Sequence, residues 1–343
     1  MADTKKEHYV PRCYLENFEG NNNRIYVFDK FQLQTRHQRK EEIAAENYFY
    51  DIDFEKIMES IDPEKHNGII EDIKRMTGNE NWEEIKAAIF NPKHIEKTFF
   101  SKLECEYSNL LKTIISKSYN GNKWVINNCE TFSENEKVQL SLFLSIQTIR
   151  TRAFRDSLKQ ITEKLYQTLA YRQQMNNVNA FPKEMFEVEV NKDYIKLQHA
   201  GMIMDEEFVL EIADSLFNHI WVMYVNKTNR HFYTSDDPVV TIPHKKSEYI
   251  SYGGFSSEGV EIIFPVSPDL LIAMYDKKWY SNCFNDRSFI ILNDKEDIDY
   301  YNRAQVIHSF RCIFSQEDDF KIADDTCKKY PEICDPSNRV IVS

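Results

Sequence analysis

A formal net charge of −12 over 343 residues argues against tight, nonspecific nucleic-acid binding, which depends on neutralising phosphates with Lys and Arg, but leaves room for a local basic cleft. Hydrophobic residues at 42%, with 23 Phe and 19 Tyr, exclude wholesale disorder, while only 8 Gly and 10 Pro point to a helix-heavy fold. Apolar runs such as Leu270–Tyr275 and Ile220–Val225 are too short to cross a bilayer, and the charged N-terminus lacks an apolar signal region, so a cytoplasmic protein without membrane contact is expected.

In chain order, His8-Tyr9-Val10-Pro11-Arg12 comes first. Pro11 favours an extended Val10 and can itself begin a helix, whose buried face would be Tyr14, Leu15 and Phe18. A turn cluster at 19–23 precedes a strand at 24–29, with a hairpin partner at 31–35. After an aromatic patch at 48–51, short helices are expected at 54–60, 64–76 and 82–90. Asn91-Pro92 opens a long helix to about Ser118, and the Ser133…Glu136 capping box opens another, uninterrupted by Gly or Pro to about Gln174. Further helices follow at 194–204 and 206–217. Strands are then expected at 219–225, 231–234, 260–264, 270–275, 288–292 and 311–314, with helices at 295–308 and near 318–330. The expected fold is a helix-rich α+β, with long central helices and a mixed or antiparallel sheet built mainly from the C-terminal third. Residues 1–343 are read as a single interlocked α+β domain. The alternative divides it into 1–218, mainly helical with an N-terminal hairpin, and 219–343, β-rich and closed by helices.

Three stretches carry candidate chemistry. His8 and Arg12 pair an acid/base imidazole with a cation that holds phosphate or carboxylate; alternatively, His8 packs on the helix and Arg12 meets a surface acid. The strand into Thr234-Ser235-Asp236-Asp237-Pro238 places Asp236 as a metal carboxylate or general base, or else forms an ordinary turn. Were the strand to continue, Asp236 and Asp237 would point to opposite faces. Arg150, Arg152 and Arg155 fall within one and a half helical turns, an anion site or a solvated basic face with Arg152 paired to Asp156. Glu46 and Tyr50, four residues apart, project a carboxylate and a phenol together, or pack as core. Seven scattered cysteines without a Cys-x-x-Cys weigh against structural zinc. Glycine-rich phosphate loops, the nucleophile elbow and His-Glu-x-x-His are all missing from the sequence.

His8-Tyr9-Val10-Pro11-Arg12-x-Tyr14-Leu15-x-x-Phe18, Ile25-Tyr26-Val27-Phe28-Asp29 and Glu46-x-x-Phe49-Tyr50 together resemble the uncharacterised 4238 domain family, a domain of unknown function. Arg150-Thr151-x-x-Phe154-Arg155, Thr234-Ser235-Asp236-Asp237-Pro238-Val239, Pro265-Val266-Ser267-Pro268 and Asn302 fit its later motifs, over about residues 7 to 315. Cys13 stands where an aromatic is expected and Arg152 where a proline is common. The resemblance transfers no activity. It implies that His8, Arg12, Glu46, Arg150 and Asp236 belong to one recurring constellation.

Two functions follow as expectations. One is a phosphodiesterase or nuclease-like hydrolase acting on a nucleotide or nucleic acid, in a setting such as bacterial defence. There Arg12 and Arg150 bind substrate, Asp236 and Glu46 hold a divalent metal (Mg or Mn) or activate water, and His8 completes the catalytic set with them. The other is a noncatalytic sensor of an anionic ligand, or a protein-interaction module.

Overall fold

The computed structural model describes residues 6–52, 58–59, 62–89, 99–120, 123–124, 131–174, 186–247 and 251–335. The Asn91-Pro92 helix start, Cys129 and most of the 54–60 helix lie outside these residues. The architecture is the expected helix-rich α+β. A five-stranded mixed sheet runs in the order Ser288–Leu292, Ile220–Asn226, Leu270–Tyr275, Val260–Ser267, Val240–Pro243. The first pair is parallel and the others antiparallel.

Its two central strands, Ile220–Asn226 and Leu270–Tyr275, are buried along their whole length, which is why they read as unbroken apolar runs. Alternation sends Trp221, Met223 and Val225 to one face with Leu270, Ile272 and Met274, where they join Leu140 and Leu144 of the helix Glu134–Ile149. Val222 and Tyr224 go to the other face with Leu271 and Ala273, against Ile298, Tyr301 and Ala304 of the helix Lys295–His308.

A second, antiparallel sheet runs Gln34–Gln38, Ile25–Asp29, Cys312–Ser315, Thr234–Ser235. Residues almost three hundred positions apart therefore share a ladder, with Val27 opposite Phe314. The hairpin partner begins later than the expected 31–35. The Asp29 carboxylate accepts the N–H groups of Phe31 and Gln32 (3.1 and 3.4 Å), and Leu33 takes a positive φ of 50°, so the intervening residues are consumed by the turn. The strand expected at 231–234 is the short Thr234–Ser235, and the edge strand Val240–Pro243 was not anticipated.

The opening segment behaves largely as its spacing dictates. Pro11 (φ −58°, ψ 136°) precedes the helix Arg12–Leu15, which tightens into a 3-10 turn at Glu16–Phe18, with Tyr14, Leu15 and Phe18 buried. The Tyr14 hydroxyl donates to the Pro265 carbonyl at 2.7 Å and its ring stacks on Phe264, which fixes the segment to the large sheet. Ahead of it, the strand Lys6–His8 pairs antiparallel with Ala45–Asn47, a pairing too short to announce itself in sequence.

One expectation needs correction: the helix from Ser133 does not run to Gln174. The capping box forms, with Glu136 N–H on Ser133 Oγ and Ser133 N–H on the Glu136 carboxylate, and the helix ends at Ile149. A second helix, Arg152–Gln174, then starts afresh. Thr151 makes the break, accepting the Phe154 N–H at 3.2 Å as an N-cap and donating its hydroxyl to the Thr148 carbonyl. No described helix is long and apolar enough to cross a membrane.

Candidate functional site: a basic cleft at a helix start

The break at Thr151 aims the next turn outward, where Arg152 and Arg155 meet the Ala45–Asn47 strand and its aromatic extension. Glu7 holds that extension by accepting the Tyr50 N–H at 2.6 Å, and the Tyr50 hydroxyl donates to the Arg150 carbonyl at 3.0 Å. Phe49 is thereby buried flat beneath Arg155, whose guanidinium carbon lies 3.5 Å from the ring centroid. From its edge, Arg155 donates Nε–H to His199 Nδ1 at 2.9 Å, and His199 Nε2 meets the Ile149 carbonyl at 2.7 Å. An imidazole that accepts at Nδ1 and donates at Nε2 is neutral. Complete burial and the adjacent Arg155 push His199 down to about 3, and burial lowers Arg155 to about 10, leaving it charged at neutral pH. Packing on one side and a neutral acceptor on another hold the Arg155 fork in one orientation.

Around it opens a cleft of about 260 Å³, lined by Arg152, Arg155, Lys159, Lys192 and Lys196, with Glu46, Asp156, Phe49 and Ile195. Five cations face two carboxylates. Lys192 starts the helix Lys192–Met204, is exposed, and makes no ion pair among the described residues. Lys196 donates to the carbonyls of Tyr48 and Asp51, tying the two walls together. Arg152 lies over the Phe310 ring and pairs with Glu46 at 3.2 Å rather than with Asp156. The 23-residue helix Arg152–Gln174 has no acidic residue in its first turn. Its positive dipole end therefore adds to the arginines instead of being offset.

The structure redistributes the residues expected to form one constellation. Only Glu46 lines this cleft. Asp236 is 1% exposed, and its carboxylate accepts backbone N–H groups from Phe310, Arg311 and Cys312 at 2.8–2.9 Å. It closes the bend between the helix Lys295–His308 and the strand Cys312–Ser315, a structural role that sequence reasoning did not give it. Arg150, 1% exposed, donates to the His8 carbonyl at 2.6 Å and to Glu104 at 3.0 Å, and lies 3.9 Å from the Phe100 ring centroid. It tethers the opening strand. His8 is buried, and desolvation together with Arg12 and Arg150 lowers it to about 4, against the raising effect of a hydrogen bond to the Lys40 backbone carbonyl. Such an imidazole is a poor general base at neutral pH. Arg12 is exposed and makes no ion pair among the described residues.

A divalent metal is poorly served by these donors. Glu46 is held by Arg152 and Asp236 by three amides, and among the described residues no three His, Cys, Asp or Glu side chains converge as ligands. The neighbouring Asp237 does face a cleft, of about 600 Å³, on the other side of the same helix start, with Thr148, Thr151, Ser157 and His308. The strand ends at Ser235, and in the bend that follows the two carboxylates take separate surroundings, Asp236 on backbone amides and Asp237 at the cleft.

Sequence reasoning found Arg152, Arg155 and Glu46 but missed Phe49, Lys159, Lys192, Lys196 and His199 as parts of one site. The spacing of Lys192 and Lys196, one helical turn apart, was the available signal; nothing local tied it to residue 155.

Fold and cleft together define a helix-rich α+β protein whose Ala45–Asn47 strand with its aromatic extension, second long helix and Lys192–Met204 helix enclose a basic site on an acidic body. The chain belongs to the family described as protein of unknown function (DUF4238), whose profile matches residues 6–319. No curated protein and no solved structure matches it.

Proposed function

We propose that the protein binds a small phosphate-bearing ligand, such as a nucleotide, in the basic cleft, and acts as a noncatalytic sensor. The observation that carries this reading is the gathering of five cations around 260 Å³ in a chain of net charge −12. Such a concentration of like charge repels itself unless an anion completes it. Arg155 supplies the fixed fork that suits bidentate contact with phosphate oxygens, while the lysines act as point charges around it. The volume suits a phosphate or pyrophosphate group better than a whole nucleic-acid strand. Metal-assisted hydrolysis draws less support, because Asp236 and Arg150 are committed to the fold and Glu46 is the one expected catalytic group at the cleft. A cytosolic setting agrees with the free thiols of Cys13, Cys105, Cys283, Cys312, Cys327 and Cys334.

Calorimetric titration with pyrophosphate and with nucleoside mono- and triphosphates tests the proposal. Saturable binding that weakens at least tenfold in Arg155→Met and in a Lys192→Met/Lys196→Met double variant, with no new product by chromatography, is the expected result. Absence of binding, or binding indifferent to both variants, overturns it. Ligand turnover would restore the hydrolase reading.

A further inference from the structure

Away from the basic cleft, a small cavity of about 10 Å³ lies between the helices Ser101–Ser118 and Glu134–Ile149. Its polar walls are Glu104, Tyr107, Gln147 and Arg150. Tyr107 and Gln147 are 3% and 2% exposed, yet Tyr107 Oη and Gln147 Oε1 have no hydrogen-bond partner within the protein. The amide of Gln147 is not free to turn away, because its Nε2 donates to the Tyr9 carbonyl at 3.2 Å, leaving Oε1 as the unused end. Buried polar atoms are almost always paired, and where no protein group reaches them the partner is water. A cavity of ~10–15 Å³ is the smallest that admits one water molecule.

We propose that this cavity is a binding site for a single ordered water that bridges Tyr107 and Gln147. Its chemistry selects a neutral molecule that both donates and accepts. The Tyr107 hydroxyl, kept protonated by its burial, donates to the water oxygen. The water returns one hydrogen to Gln147 Oε1 and turns the other toward the Glu104 carboxylate. A cation is disfavoured by the Arg150 guanidinium in the same wall, and an anion by Glu104 and the Gln147 carbonyl. Glu104 also accepts from Arg150, which holds the His8 carbonyl. The water therefore extends a chain of contacts from both helices to the opening strand, and Arg150 acts at its centre as a positioning residue.

A crystal structure of the full chain at roughly 1.8 Å or better tests this without any substitution. The expected result is one isolated density peak within ~2.6–3.2 Å of both Tyr107 Oη and Gln147 Oε1. Crystals of Gln147→Met, which fills similar volume without the carbonyl, should lack the peak. Oxygen-17 relaxation dispersion on Tyr107→Phe provides a second reading in solution, with one long-lived water fewer than in the parent. A clear absence of density in the parent, or a Tyr107 hydroxyl bonded directly to Gln147, overturns the proposal. So does an unchanged count of long-lived waters in Tyr107→Phe.

Discussion

Replacing Asp236 by alanine removes the acceptor from three backbone N–H groups at once, those of Phe310, Arg311 and Cys312. Asp236 is 1% and Phe310 4% exposed, while Arg311 and Cys312 are half-buried, so rehydration replaces only part of the lost bonds. Each buried donor left unpaired costs ~1–3 kcal/mol, which puts the total at roughly 3–6 kcal/mol once some backbone relaxation is allowed. That is a large part of the ~5–15 kcal/mol by which a typical domain is stable. Asp236→Asn keeps one carbonyl acceptor and turns an amide N–H₂ toward backbone donors, so it should lose about half as much. Urea unfolding followed by circular dichroism, with midpoints and slopes fitted for parent, Asn and Ala, gives the ranking. An Asp236→Ala protein within ~0.5 kcal/mol of the parent would refute the capping role, and an activity lost at unchanged stability would return Asp236 to the site.

Acid should weaken the fold through its buried histidines. His8 and His199 sit at about 4 and about 3 when folded, both below the 6.5 of an exposed imidazole. Between those limits the unfolded chain binds more protons, so their contribution is complete above about pH 6.5 and is lost as the pH falls toward 4 and below. His199→Gln, which can still accept from Arg155 and donate to Ile149, should flatten that decline in urea midpoints measured from pH 7 to 4.5; an unaltered slope contradicts it. At the cleft, Glu46→Gln frees Arg152 from a half-exposed ion pair worth ~0.2–1 kcal/mol, so pyrophosphate should bind about 1.4- to fivefold more tightly by calorimetry. Thr151→Ala removes the cap that restarts the second long helix and should cost ~0.5–2 kcal/mol in the same urea assay, with Thr151→Ser restoring most of it.

How much of this was legible beforehand depended on whether a signal was local. The capping box at Ser133, the apolar spacing of Tyr14, Leu15 and Phe18, and the buried runs at 220 and 270 announce their elements because neighbours along the chain determine them. The break at Thr151 left no such mark. A threonine inside a good helical pattern is common, and only the surrounding packing decides that its hydroxyl caps a new helix. The candidate residues were ambiguous for a related reason. Asp236 and Arg150 have the chemistry of a catalytic site, but a carboxylate that meets three amides and a guanidinium that meets a carbonyl are equally a fold's way of satisfying buried backbone. Conversely, the Arg155 platform combines Phe49, His199 and Lys196, contributed by separate segments, and no spacing rule connects them.

The most direct measurement is a crystal soaked with tungstate, read by anomalous scattering. The account predicts a peak within hydrogen-bond reach of Arg155 and flanked by Arg152, Lys192 and Lys196, absent from Arg155→Met crystals treated identically. Tungstate bound elsewhere, or a cleft left empty at concentrations where other surface sites fill, would contradict the claim that this cleft is built for an anion.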